Sequence, residues 1–207
     1  MLSANAISLA MTGASGARYG LRLLQCLLEA GRTVYLMISA PGQVVIGMET
    51  DVKLPGRNVE IQRVLAQRYG AQNGQLRVYG REEWTAPVAS GSSVPQAMII
   101  CPCTMGTLSA VANGASRTLI DRAADVVLKE GRKLIVVPRE TPFSAIHLEN
   151  MLRLARLGVC VLPANPGFYH KPSGIDDLVD FVVARILDQL GIEHSISQRW
   201  ADTDLTD

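Results

Sequence analysis

Charge of either sign is scarce and almost cancels in this chain of 207 residues: Lys and Arg number 20, Asp and Glu 19, for a formal net charge of +1. Such a balance provides no whole-molecule field for nucleic acid or an anionic membrane, so any basic site must be local. Cysteine is thin too. The four thiols, Cys26, Cys101, Cys103 and Cys160, lie in apolar surroundings, and the closest pair reads C-P-C rather than C-x-x-C with a second half-site. That pattern predicts buried reduced thiols in place of zinc or disulfides. His147 and His194 lack metal-ligand spacing, and no metal is expected. No apolar run approaches the ~18 residues of a spanning helix, and the start "MLSANAISLAM" has no charged leader. The expectation is a soluble, cytoplasmic protein without membrane or nucleic-acid partners.

Three motifs are also missing. After the first apolar run the chain reads "MTGASGARYG", which is neither the dinucleotide fingerprint G-x-G-x-x-G nor a P-loop, since no Gly-Lys-Ser/Thr follows. G-x-S-x-G is absent because Gly16 follows Ser15 directly, so a hydrolase elbow is unsupported.

What is present is apolar: 48% of the residues, enough for one sizeable core and for spare surface between subunits. A single domain is expected over residues 1–207, with a core of about 5–192 and a tail over 193–207. Short apolar runs alternate with segments of helical period, the signature of an open, doubly wound α/β parallel sheet. Strands are expected at "AISLAM", "TVYLMIS", Met98 to Cys101, "KLIVVP" and "VCVLP". Helices are expected from about Gly16 to Ala30, at "PGQVVIGMET", "VEIQRVLAQRYG", up to Gly114, and at "LIDRAADVVLKEG", "FSAIHLENMLRLARLG" and "GIDDLVDFVVARILDQLG".

Ligands of such sheets bind outside the carboxyl ends of the strands, which directs attention to the turns "TGASG", "SAPG", "CPCTMGT" and "PRETP". In the first, Ser15 stands at a helix entrance, where its hydroxyl and free N–H groups can cap the helix or meet an anion. Ser39 ends the second strand where an NAD-binding fold wants an acid for the ribose, which disfavours a dinucleotide enzyme. Thr104, Gly106 and Thr107 repeat the hydroxyl-and-small-residue theme, and two such turns facing one crevice suit a phosphorylated cofactor with a mononucleotide-like tail, FMN best of all. Arg122 and Lys129 share a helix face, as a solvated stripe or as part of a site. Arg139 and Glu140 follow a strand directly, placing a planar donor fork and a carboxylate on the ligand side, or forming a local ion pair. Tyr169 and His170 sit on a proline-rich loop, and Arg185 interrupts an apolar helix, where it needs a carboxylate of another subunit or an anionic ligand as partner.

The blocks "TGASGARYGLRLL", "CPCTMGTLSAVANG", "RAADVVLKEGRKLIVVPRETP" and "ANPGFYHKP" resemble, in order and over nearly the whole chain, those of the UbiX-type flavin prenyltransferases. That resemblance implies a homododecamer of flavodoxin-like subunits, metal-independent, that transfers a dimethylallyl group from dimethylallyl phosphate to N5 and C6 of reduced FMN. The product, prenylated FMN, would serve a UbiD-type decarboxylase of ubiquinone biosynthesis. By position it assigns flavin contacts to Gly13, Ala14, Ser15, Ser39, Thr104, Met105, Gly106, Thr107, Arg122 and Arg139. The allylic phosphate falls to Lys129, Arg139, Glu140, Tyr169, Arg185 and Trp200, partly across an interface, and catalytic roles fall to Ser15, Glu49, Lys129 and Glu140. Trp84, Tyr169 and Trp200 are candidates for shielding an allylic cation.

Three other readings compete. A flavin-dependent cysteine decarboxylase would carry a histidine early in the fold and an N-x-x-M motif after a late strand, where this chain has "PANPGFY". An FMN carrier would not need Lys129, Arg139, Glu140 and Arg185 beyond FMN's own phosphate. Direct decarboxylation of an octaprenyl-hydroxybenzoate would require a long apolar channel, for which the sequence shows no obvious provision.

Overall fold

The computed structural model describes residues 5–197 and divides the chain into two compact units, Met1–Ala164 and Asn165–Asp207. The first unit holds a six-stranded, all-parallel sheet in the order β3-β2-β1-β4-β5-β6, the strand order of doubly wound Rossmann-type sheets. Its strands are β1 (Ala6–Met11), β2 (Thr33–Ile38), β3 (Leu76–Tyr79), β4 (Ala97–Cys103), β5 (Lys133–Pro138) and β6 (Cys160–Val161). Between them run α1 (Ala17–Glu29), α2 (Ala40–Glu49), α3 (Asn58–Tyr69), α4 (Met105–Ala112), α5 (Leu119–Lys129) and α6 (Ala145–Arg156). In the second unit α7 spans Ile175–Leu190 and stops at Gly191.

The central strands read as unbroken apolar runs because both faces are covered: every residue of β1 and of β4 is buried. Each expected strand and helix is present, and β3 is an addition. Its sequence, Leu-Arg-Val-Tyr, leaves only Arg77 exposed and adds an outer strand beside β2. Two short 3-10 turns, Pro87–Ala89 and Gly91–Ser93, lead into β4.

The sheet reverses direction of winding between β1 and β4, where the chain goes from one neighbour to the other. Thr12, just past β1 and buried, joins the two strand ends: its hydroxyl donates to the Pro102 carbonyl at 2.8 Å and accepts from the Thr104 N–H at 2.9 Å. Both turns of this crevice are thereby held in one register.

Helix α1 crosses very close to β4. A Cβ on Gly20 would overlap the Cys101 carbonyl and approach Met11 Cε to 2.6 Å. Gly47, inside α2, has nothing within 4 Å of the same position. The two glycines therefore respond oppositely to alanine. G20A gains about 1 kcal/mol of helix propensity but incurs overpacking of roughly 1–3 kcal/mol, so its Tm falls. G47A meets no such overlap, and its Tm is unchanged or higher. Thermal unfolding of both variants checks the pair.

Candidate functional site

Helix α1 opens on Gly16, whose φ of 111° is open to glycine and costly for other residues, and it has no side-chain cap from its own turn. Its first N–H groups are satisfied from a distance. Glu49, the last residue of α2, accepts from the Gly16 N–H at 2.8 Å and the Ala17 N–H at 2.9 Å through Oε2. The anion at this helix entrance is the protein's own carboxylate. Gly13 lies against Pro41 of α2, and Ala14 is buried beside it.

Burial pushes the Glu49 carboxyl up, but donation from the Ser15 hydroxyl, the two backbone N–H groups and the charge of Arg139 outweigh it and hold the group below its ordinary value of 4.5. Arg139, following β5, donates from Nε to the Ser15 carbonyl at 3.1 Å. Ser15, Glu49 and Arg139 thus come together from the ends of β1, α2 and β5. Glu140 is next in the chain and accepts from the Thr141 N–H at 3.2 Å.

The second feature is a cavity of about 300 Å³ beside the ends of β2 and β4. Four expected cofactor residues, Ser39, Thr104, Gly106 and Thr107, line it. Ser39 caps α2 by accepting from the Gly42 N–H, and Thr104 caps α4 by accepting from the Thr107 N–H. Thr118 caps α5 by accepting from the Asp121 N–H, and it also lines the cavity, with Arg81 and Arg117. The starts of α2, α4 and α5 converge here, and their dipoles with the two arginines favour an anionic ligand. Met105 is different: its side chain belongs to the hydrophobic core, leaving its backbone for the site.

Thr12, Thr118, Arg81 and Arg117 are additions to the expected residues: Thr12 begins the "TGASG" turn, and Thr118-x-x-Asp121 carries a helix-start signal. Arg81 and Arg117 gave no local signal.

Within the first unit, two other expected residues are engaged elsewhere. Arg122 is not among the residues that line the cavity; it donates to the Ala89 carbonyl at 3.1 Å and pairs with Asp125 at 2.9 Å. Lys129 ends α5 at the opposite, amino edge of the sheet, paired with Glu130 and beside an open groove lined also by Arg153 and Arg156. In the second unit Arg185 is exposed, and its partner is Asp188 of the same helix at 2.8 Å. Tyr169 is about half exposed in that unit, and Trp200 lies outside the described residues.

Burial raises the Cys103 thiol to about 12 and the Cys101 thiol further still, so neither is a nucleophile at neutral pH. Among the described residues no cluster of His, Cys, Asp or Glu has metal-binding geometry, and no helix is long and apolar enough to cross a membrane.

The Flavoprotein family model matches residues 1–187. A flavin prenyltransferase UbiX of Pseudomonas aeruginosa is 59% identical over 96% of this chain and 95% of its own. Among solved structures, a dodecameric FMN-dependent UbiX-like decarboxylase from Escherichia coli O157:H7 superposes with a TM-score of 0.84 at 42% identity, covering 94% of this chain and 98% of that one. AnUbiX (PadA1) in complex with FMN and dimethylallyl pyrophosphate gives a TM-score of 0.86 at 37% identity, covering 97% and 99%. With the glycine turn, the hydroxyl-capped cavity and the strand-end Arg-Glu pair all in place, the chain belongs to the UbiX family of flavin prenyltransferases.

Proposed function

We propose that this chain transfers a dimethylallyl group from dimethylallyl phosphate to N5 and C6 of reduced FMN, in the cytoplasm, and that a UbiD-type decarboxylase, in ubiquinone biosynthesis, uses the prenylated FMN formed. The reaction breaks the allylic C–O bond and forms the C–N bond at N5, whose proton leaves with the phosphate; the alkene then takes up a proton from Glu140 or the released phosphate and forms the C–C bond at C6, which gives one back. The observation that carries this reading is the Ser15–Glu49–Arg139 cluster at the carboxyl edge of the sheet. The membership of the chain in its family, and the relative described with FMN and a dimethylallyl donor, support it.

The cavity fits a flavin mononucleotide in chemistry: hydroxyls of Ser39, Thr104 and Thr107, convergent helix starts and arginines for an anionic group. Its 300 Å³ lies at the low end of small-molecule sites, so the rest of the ligand must be covered by further residues. Gly13, Ala14, Ser15, Arg139 and the Met105 backbone would supply part of that cover. When bound, reduced FMN supplies the electron-rich nitrogen and carbon that attack the allylic group.

Ser15 has one hydroxyl proton, and it is given to Glu49. The oxygen therefore faces a ligand as an acceptor, suited to an N–H such as that of reduced flavin at N5. It can take that proton while handing its own to Glu49. Because Glu49 is held below its ordinary value, the proton does not rest there and passes on to the departing phosphate. The proton from C6 goes to Glu140 or to the departing phosphate.

An allylic monophosphate leaves only when its growing charge is stabilised, the task assigned to Arg139, Lys129, Tyr169 and Arg185. Lys129 lies at the opposite edge of the sheet from the Ser15 cluster, so a second copy is assigned to bring it. Helix α6 suits such assembly: it buries only Leu154 while Ile146, Leu148 and Leu152 are exposed. A homododecamer, as in the E. coli relative, is the expected assembly.

The primary test is anaerobic incubation with reduced FMN and dimethylallyl phosphate, followed by the mass of the extracted flavin. A gain of one dimethylallyl unit is expected, and unchanged flavin with both the phosphate and the diphosphate would leave an FMN carrier. K129A and S15A should each lower the rate by roughly 10²–10³. If sites combine Ser15 of one copy with Lys129 of another, dissociating and reassembling the two inactive variants together restores part of the activity. Glu49 makes a separate prediction. Its depressed value means that the stability it confers is present above pH 4.5 and lost as the pH falls through the folded value. E49A should lower stability by about 1 kcal/mol at neutral pH, and the gap from the parent protein should close on acidification in a Tm-against-pH series.

A further inference from the structure

The loop that opens the second unit contains a sharply held turn. The Lys171 N–H donates to the Phe168 carbonyl at 3.0 Å, which places Tyr169 and His170 at its centre. Lys171 closes it with a φ of 51°, the left-handed region that a lysine avoids unless its surroundings impose it. Pro172 follows immediately, restricting the backbone from the other side.

What imposes the turn is a trio of rings. His170 stacks face to face on Phe181 of α7, with centroids 5.3 Å apart and planes 10° from parallel. Tyr169 meets both edge-on, at 5.7 Å and 79° to His170 and at 5.7 Å and 77° to Phe181. Gly167 leaves room for this packing, since a Cβ there would come within 3.0 Å of Phe181 Cζ and 3.1 Å of the Tyr169 ring. The start of α7 is fixed in turn by Asp177, which accepts from the backbone and hydroxyl of Ser173 at 2.6 and 2.7 Å.

Both nitrogens of His170, Nδ1 and Nε2, are buried without a hydrogen-bond partner among the described residues. It is the ring that its neighbours engage, filling the space between Tyr169 and Phe181.

We infer that His170 is a positioning residue for Tyr169: through its ring, not its nitrogens, it fixes the direction in which the phenol is presented to the allylic donor. The inference rests on the donor-binding role proposed above for Tyr169, and the experiment separates the two.

Steady-state kinetics for dimethylallyl phosphate, FMN affinity and Tm are measured for H170F, H170A, Y169A and the H170A/Y169A pair. H170F keeps the stacked ring and removes the unsatisfied nitrogens, so its KM stays within about twofold and its Tm does not fall. H170A raises KM about three- to tenfold, with FMN affinity unchanged, the loss of one aromatic contact. The double variant is little worse than Y169A alone, because the histidine acts only through the tyrosine. Should H170A fail to fold, H170L, which keeps bulk without a flat face, takes its place. An H170F as impaired as H170A would show that the nitrogens act and overturn the inference, as would additive losses in the pair. Wild-type KM in H170A beside an impaired Y169A would overturn the positioning role alone, whereas wild-type KM in Y169A would overturn the role of Tyr169 and this inference with it.

Discussion

The carboxylate of Glu49 on the first N–H groups of α1 is the contact on which the geometry of the proposed site depends. Helix α1 begins on a left-handed glycine with no cap of its own, so its orphan donors need an acceptor from elsewhere. Glu49 supplies it from the far end of α2, which couples the β1–α1 turn to β2 and α2. The same carboxylate takes the Ser15 hydroxyl proton and feels Arg139, drawing the end of β5 into the arrangement. It also explains why a glycine turn at a helix entrance is not a phosphate loop here. A phosphate seated on those N–H groups would have to displace a negative charge already bound to them.

Most of the fold was legible because buried parallel strands and amphipathic helices write strong local patterns. "AISLAM" and "KLIVVP" can be little else between helical segments, and Gly31, Gly114 and Gly191 mark helix stops. The strand β3 was harder: four residues at the edge of the sheet, one of them a charged Arg77, carry too little periodicity. Within the site, helix caps such as Ser39 and Thr104 were readable from strand-to-helix junctions. The Glu49 contact was not, because the carboxylate and the N–H groups it binds are 33 and 32 residues apart with nothing local to link them. Family resemblance pointed to Glu49, but its capping role follows from the structure. The apolar run around Arg185 suggested a distant partner, whereas Asp188 lies one helical turn on.

Helix α5 shows why a single copy carries only part of the proposed site. Its first turn lines the cavity, while its last residue, Lys129, lies at the other edge of the sheet, about 16 Å along the helix axis. No rotamer of a lysine spans that length back to the carboxyl edge. On the proposed reading, the flavin-facing groups belong to one copy and part of the cation cage to another, and the cage exists only where copies meet.

The pairing of those cations fits such a division. Lys129 is matched with Glu130 and Arg185 with Asp188, and both pairs are partly exposed to solvent. Exposed pairs of this kind contribute roughly 0–1 kcal/mol each, so they hold the side chains in place without binding them strongly. A phosphate arriving with two charges and several acceptor oxygens offers each cation a stronger partner than its local carboxylate. On the proposed reading, the cations remain neutralised on a chain of net charge +1 and still exchange onto the leaving group as its charge develops. Arg139 is arranged differently: its Nε is committed to a backbone carbonyl, which fixes the plane of the guanidinium before any ligand arrives. Of the proposed cations it is the preorganised member, and the others are adaptable, a division that suits one group orienting the phosphate and the rest following its departure.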